Sequence, residues 1–258
     1  MDFSTPIYFV GDPHGLTHRL AREIAERRPL PAAVVFLGDF GLERTFHTEV
    51  EPLRDAGVQV WWIPGNHDTD AELYYFRLFD NNELRDFNLH GRIAEIAGLR
   101  IAGLGGVFKG RVWMPDPGAR EDQRFPRWKS RGDWLNDRPS SNRWRGGLPL
   151  HLRDAIWLED YELLKEQHAD VLVCHEAPSC HKHGFEAIDD LAELMGVSVV
   201  VHGHHHTDYD AVISGGRVRV LGVGLAGIRQ LDGTTIRRGT RSVIDGAARK
   251  PVVTPDGN

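Results

Sequence analysis

Short apolar runs alternate with helical periods through the first third of the chain. "PIYFVGD" (6–12) reads as a buried strand closing on Gly-Asp. "GLTHRLAREIAERR" (15–28) sets Leu16, Leu20 and Ile24 on one helical face. "AAVVFLGD" (32–39) predicts a second strand with the same ending, "RTFHTEVEPLRDAG" (44–57) a helix closed by Gly57, and "VQVWWIPGNHD" (58–68) a third strand running into a polar turn. Strands separated by helices imply βαβ units and a largely parallel core. In such sheets ligands bind beyond the carboxyl ends of the strands, where Asp, Asn and His collect here.

The pattern stops after "LRIAGLGGVF" (99–108). Residues 109–148 show no period and hold four of the seven tryptophans, Trp113, Trp128, Trp134 and Trp144. A long irregular insertion is expected there, and such segments are functional or disordered. Periodicity resumes with an amphipathic helix over "HLRDAIWLEDYELLKEQH" (151–168) and a strand "ADVLVCHE" (169–176). A helix "EAIDDLAELMG" (186–196) follows, then a strand "VSVVVHGHHH" (197–206). "YDAVISGGRVRVLGVG" (209–224) turns at Gly215-Gly216 as a hairpin, and residues 249–258 read as a loose tail. The expectation is one domain over 1–248 carrying the insertion.

Charge changes this picture locally. The whole chain of 258 residues carries −6, which does not suggest a nucleic-acid binder. Yet the insertion has ten Lys and Arg against five Asp and Glu, a net +5 that leaves −11 on the remainder. Arginine grips phosphate and tryptophan stacks on bases, so this segment is a candidate contact for a nucleotide or nucleic acid. The alternative is a packed lid. No apolar run is long enough to span a membrane, and the N-terminus has no signal-peptide pattern. Two cysteines, Cys174 and Cys180, do not make a disulfide framework, so a cytoplasmic protein is expected.

Collected from the strand ends, the polar residues are Asp12, His14, Asp39, Asn66, His67, Asp68, His175, His204 and His206. Asp12 and His14 are two apart, as are His204 and His206; in extended chain both members of a pair face one way. His205 would then point elsewhere, while His202 shares the parity and reads as a supporting or core histidine. His181 and His183, in "CHKHG", read as exposed loop histidines. Mixed carboxylate, imidazole and amide donors suit manganese, iron or zinc. Seven ligands exceed one open site and suffice for two metals if Asp39 is shared, the spacing that clamps an in-line displacement at phosphorus.

The blocks "GDPHG", "GDF", "GNHD", "CHE" and "GHHH" resemble, in order and spacing, the five motifs of the calcineurin-like metallophosphoesterases. The resemblance runs from residue 7 to about 225 outside the insertion. It implies a four-layer αββα sandwich of two mixed sheets. It implies one metal on Asp12, His14 and His206, another on Asn66, His175 and His204, and Asp39 bridging. Manganese is the first choice of metal. A metal-bridging hydroxide would attack a phosphate mono- or diester. His67 would assist as general acid or charge stabiliser, with Asp68 orienting it. In the protein-phosphatase branch the second motif reads G-D-x-V-D-R-G; here "GDFGLER" puts Leu42 at the second Asp and moves the arginine to Arg44. A phosphate-gripping arginine is therefore sought in the insertion. Phosphoprotein phosphatase and nucleic-acid-directed phosphodiesterase are the alternative activities. A non-catalytic scaffold is disfavoured, because all seven ligands and His67 are present.

Overall fold

Along β1 (Ile7–Val10) successive side chains leave opposite faces of the sheet, and each face meets a different partner. Ile7 and Phe9 pack against Val171, Val173 and Val201, which belong to a second sheet. Tyr8 and Val10 pack beneath Leu20, Ile24 and Leu53, which belong to helices. A computed structural model of the chain describes residues 6–80, 83–116 and 118–240; the tail expected at 249–258 and the domain end expected at 248 lie outside them.

Among the described residues the first sheet continues through β2 (Ala33–Phe36), β3 (Gln59–Trp62), β10 (Ile228–Gln230) and β11 (Thr235–Arg237), in the order β11-β10-β1-β2-β3. The second joins β4 (Arg92–Ile96), β5 (Leu99–Leu104), β6 (Val171–Cys174), β7 (Val199–His202), β8 (Tyr209–Ile213) and β9 (Val218–Gly222), in the order β4-β5-β6-β7-β9-β8. Both sheets are mixed. The β1–β2–β3 and β5–β6–β7–β9 ladders are parallel; antiparallel strands flank β1, β5 and β9, and β3 is a parallel edge. Outside the first sheet lie α1 (Thr17–Ala25), α2 (Phe46–Glu49), α3 (Glu51–Asp55) and α4 (Glu72–Tyr75). The insertion carries α5 (Glu121–Arg124) and α6 (Arg131–Asp137), and the second sheet is covered by α7 (Leu158–Lys165) and α8 (Glu186–Met195). Three apolar clusters, one between the sheets and one outside each, make the four layers of an αββα sandwich.

Three local expectations change. The helix expected over 44–57 is two short helices meeting at Val50, and Pro52 sits in the first turn of α3. A proline is tolerated there because that N–H has no partner within a helix, whereas mid-helix it breaks the ladder. The helix expected over 151–168 begins only at Leu158; the Asp160 carboxylate accepts from the Trp157 N–H at 3.1 Å, and residues 150–152 form a separate 3-10 turn. The insertion is not irregular throughout. Ser130 and Asp133 form a reciprocal capping box for α6, and Trp113 and Trp134 are buried in the outer core with Trp157 and Tyr161. The hairpin appears as expected, β8 pairing antiparallel with β9.

Candidate metal centre

Every strand that feeds the site stops before its polar residues. β1 ends at Val10, β2 at Phe36, β6 at Cys174 and β7 at His202. Asp12, His14, Asp39, His204 and His206 all adopt positive φ, from 37° to 69°. These residues therefore stand in left-handed turns, and extended-strand parity is not what aims each pair. Such backbone costs about 1 kcal/mol or more for a residue with a Cβ and persists where surrounding structure enforces it. Glycine makes the turns close enough. A Cβ on Gly38 would strike the Gly65 backbone, and one on Gly65 would strike the Asp39 carboxylate.

The turns bring together the seven residues expected to hold metal. His175 Nδ1 donates to the Leu37 carbonyl at 2.7 Å, leaving Nε2 3.1 Å from Asn66 Oδ1 and 3.4 Å from Asp39 Oδ2. His14 Nε2 lies 3.8 Å from that same Asp39 oxygen. The His14 and His206 rings are 5.3 Å apart, and those of His175 and His204 4.9 Å. The His204 N–H donates to Asp12 Oδ2 at 2.8 Å. One nitrogen each from His175 and His204 and one Asp39 oxygen lie within 4.8 Å of one another, a spacing suited to one ion.

Two buried atoms here have no hydrogen-bond partner, Asp12 Oδ1 and His14 Nε2. An orphaned buried acceptor is costly, and both are donor atoms a cation takes. The electrostatics agree. Burial, with Asp39 nearby, pushes Asp12 up to about 7. Burial lowers His14 and His206 and brings His204 down to about 3, so these rings are neutral with free lone pairs. Burial alone would lower His175, but Asp39 and Asp12 outweigh it and raise it to about 10. The pocket thus seeks positive charge at the point where its carboxylates converge, and the donor set fits two divalent cations.

His67 is half exposed at the rim. Its backbone N–H donates to Asp39 Oδ1 at 2.8 Å, and its ring is 5.6 Å from that of His14. Asp68 does not orient it. That carboxylate is buried and accepts from the backbone N–H groups of Asp39, Phe40 and Gly65 at 3.0, 2.8 and 2.7 Å, tying the two ligand turns together. Asp70 takes the expected place, its Oδ2 2.6 Å from His67 Nδ1. Burial would lower His67, but Asp70 and Asp39 outweigh this and raise it. The i, i+3 spacing in "HDTD" was the available signal.

His202 belongs to the core. Its Nδ1 donates to the Gly203 carbonyl at 2.9 Å and its Nε2 accepts from the Tyr209 hydroxyl at 2.5 Å, a neutral ring that burial lowers to about 4. The His205 ring stacks on His181 at 3.9 Å, with His183 beside them. Sequence reading missed Glu176, buried with its Oε2 3.8 Å from His204 Nε2. The insertion, the expected source of a phosphate-gripping arginine, does reach the cleft, and His151 beside it carried no sequence signal. Lys109, Arg111 and His151 line a cavity of about 570 Å³ together with Asn66, Asp70 and His204. Lys109 is held by Asp154 at 2.6 Å.

With this geometry the chain belongs to the calcineurin-like phosphoesterase family, whose model matches residues 5–208. A relative of 41% identity, covering 79% of this chain and 84% of its own length, is an uncharacterized protein of Haemophilus influenzae. Among solved structures, the protein TT1561 of Thermus thermophilus shares 16% identity at a TM-score of 0.54, covering 92% of this chain and 98% of its own. The phosphopantetheinyl hydrolase of Mycobacterium tuberculosis shares 16% at 0.50, covering 86% and 90%. At such identities these two structures speak for the fold alone. No helix among the described residues is long and apolar enough to cross a membrane.

Proposed function

We propose that this chain is a metal-dependent hydrolase of phosphate mono- or diesters, working in the cytoplasm. The observation that carries the reading is the pair of orphaned buried atoms, Asp12 Oδ1 and His14 Nε2, inside a convergent set of seven donors. Asp12, His14 and His206 would hold one ion, Asn66, His175 and His204 the other, with Asp39 between them. When bound, two divalent cations supply charge to the phosphoryl oxygens and acidify a water. Manganese is the first ion to test, then iron and zinc.

The remaining work falls to this chain's own groups. Leu37 accepts from His175 Nδ1, so that Nε2 is the nitrogen that would meet a metal once its proton is displaced. Asp68 clamps the turns of Asp39 and Gly65 through three backbone N–H groups, which keeps the donors at their separations. Asp70 accepts at His67 Nδ1 and favours the imidazolium, whose second proton, on Nε2, is the one offered to the leaving oxygen. Arg111 on the opposite wall is the arginine best placed to meet phosphate oxygens, as it lines the same cleft and is exposed.

The test is hydrolysis of p-nitrophenyl phosphate and bis-p-nitrophenyl phosphate by purified protein with manganese. Turnover that His67→Ala and Asp39→Ala remove is expected. A wild-type protein inert on both esters with every divalent ion tried would overturn the proposal.

A further inference from the structure

Two residues of the metal-centre cleft, Arg111 and His151, also line a second cavity of about 400 Å³ between the insertion and residues 149–152. Its other polar linings are Arg127, Arg138 and Asn142, and no carboxylate lines it among the described residues. Elsewhere in the insertion three arginines have carboxylate partners. Arg120 pairs with Asp122 at 2.9 Å, Arg131 with Glu159 and Asp160 at 2.7 Å, and Arg145 with Asp80 at 2.5 Å. Arg143 donates to backbone carbonyls. Neither Arg111 nor Arg127 has a carboxylate partner among the described residues, and Arg138 has Asp137, 3.4 Å from its Nε.

Two of these guanidinium groups rest on one indole. The Arg127 Cζ lies 4.9 Å and the Arg138 Cζ 5.2 Å from the Trp128 ring centroid. The Trp128 Nε1–H donates towards Asp137 Oδ2 at 3.3 Å, and its ring meets Trp134 edge-on at 6.5 Å. Stacking on a fixed indole restrains a guanidinium without consuming its hydrogen-bond donors. Because two cations already cover Trp128, the ring is not an open platform for a base. The design is that of an anion receptor.

We propose that this cavity is a second anion subsite, so that the substrate is a small phosphate ester bearing a further phosphate beyond the scissile one. Arg127 and Arg138 grip the remote phosphate, and Arg111 with His151 forms the wall shared with the metal centre. Arg127 and Arg138 act by binding alone, and the cleaved bond stays in the metal centre. This inference rests on the hydrolase reading above.

The experiment measures inhibition of p-nitrophenyl phosphate hydrolysis by a straight-chain diol bisphosphate and by the matching monophosphate, in the wild type, Arg127→Gln and the Arg127→Gln/Arg138→Gln double variant. The bisphosphate should inhibit the wild type about tenfold more strongly than the monophosphate, as a charge-assisted contact would give. The substitutions should erase that difference and leave p-nitrophenyl phosphate turnover unchanged, which also shows that the variants fold. Repeating the series with a nucleoside bisphosphate and a sugar bisphosphate identifies the carrier. Equal inhibition by the two wild-type inhibitors overturns the subsite, as does a difference that survives in both variants. An effect on single-stranded oligonucleotide with none on short bisphosphates overturns it in favour of a strand. If the wild type does not cleave p-nitrophenyl phosphate, the hydrolase reading itself has failed, which is a separate outcome.

Discussion

Asp70 Oδ2 stands 2.6 Å from His67 Nδ1, while the nearby Asp68 is buried and accepts from three backbone N–H groups. Two acidic residues two positions apart thus do unlike work. One holds an imidazole at the rim and the other holds the floor together.

His67→Asn should lower kcat by about a hundredfold or more while manganese stoichiometry stays at the wild-type value, the range that loss of a positioned acid produces. Kinetics together with metal analysis check this. Loss of metal along with activity would instead place His67 among the ligands.

Asp70→Asn should act through pH. Asp70 raises the His67 pKa, so its removal lowers it, and the protonated form is lost at a lower pH. The alkaline limb of kcat/KM should move to lower pH, with the acid limb unmoved. Asp68→Asn should instead reduce thermal stability, because an amide offers one oxygen where the carboxyl group presents two oxygens to three backbone N–H groups. An unshifted alkaline limb in Asp70→Asn counts against the assignment.

Asp39→Ala should reduce bound metal below two equivalents, since its carboxylate lies between the His14 and His175 nitrogens at 3.8 and 3.4 Å. Elemental analysis of the purified variant reads this directly, without any assay of turnover.

Arg131→Ala should destabilise the fold by about 3 kcal/mol, as removing one partner of a largely buried pair does. Arg131 binds both Asp160 oxygens, at 2.7 and 2.8 Å, and Glu159 at 2.7 Å. Burial alone would raise Asp160, but His90 and Arg131 outweigh it and hold the carboxyl well below the usual range. A depressed carboxylate contributes stability above its unfolded pKa, near 4, and loses it as pH falls further. The wild type should lose that share below about pH 4, and Arg131→Ala should lose less of it. Denaturant unfolding at neutral and acid pH checks the sign.

Much of this molecule was legible along the chain. The buried strands β1, β2, β6 and β7 announce themselves as apolar runs, because a strand covered on both faces needs no alternation. Their polar endings mark the site, because a parallel sheet delivers successive strand ends to one edge. What local pattern could not supply was every choice that depends on a distant partner. The left-handed turns at Asp12 and His204 are tied across the two sheets by the His204 N–H on the Asp12 carboxylate, beside Gly11, where a Cβ would strike the Val223 and Gly224 carbonyls. Asp70 holds His67 because Asp68 is engaged by residues 28 and 29 positions away. The insertion's charge reads as one basic block in sequence, yet Glu159, Asp160, Asp80 and Glu72 neutralise part of it from outside. The sequence by itself determined which donors the site contains and the sheet edge where they gather. Only the tertiary structure decided which carboxylates pair and which cations remain for an anion, since Coulomb interactions and burial depend on distance in space.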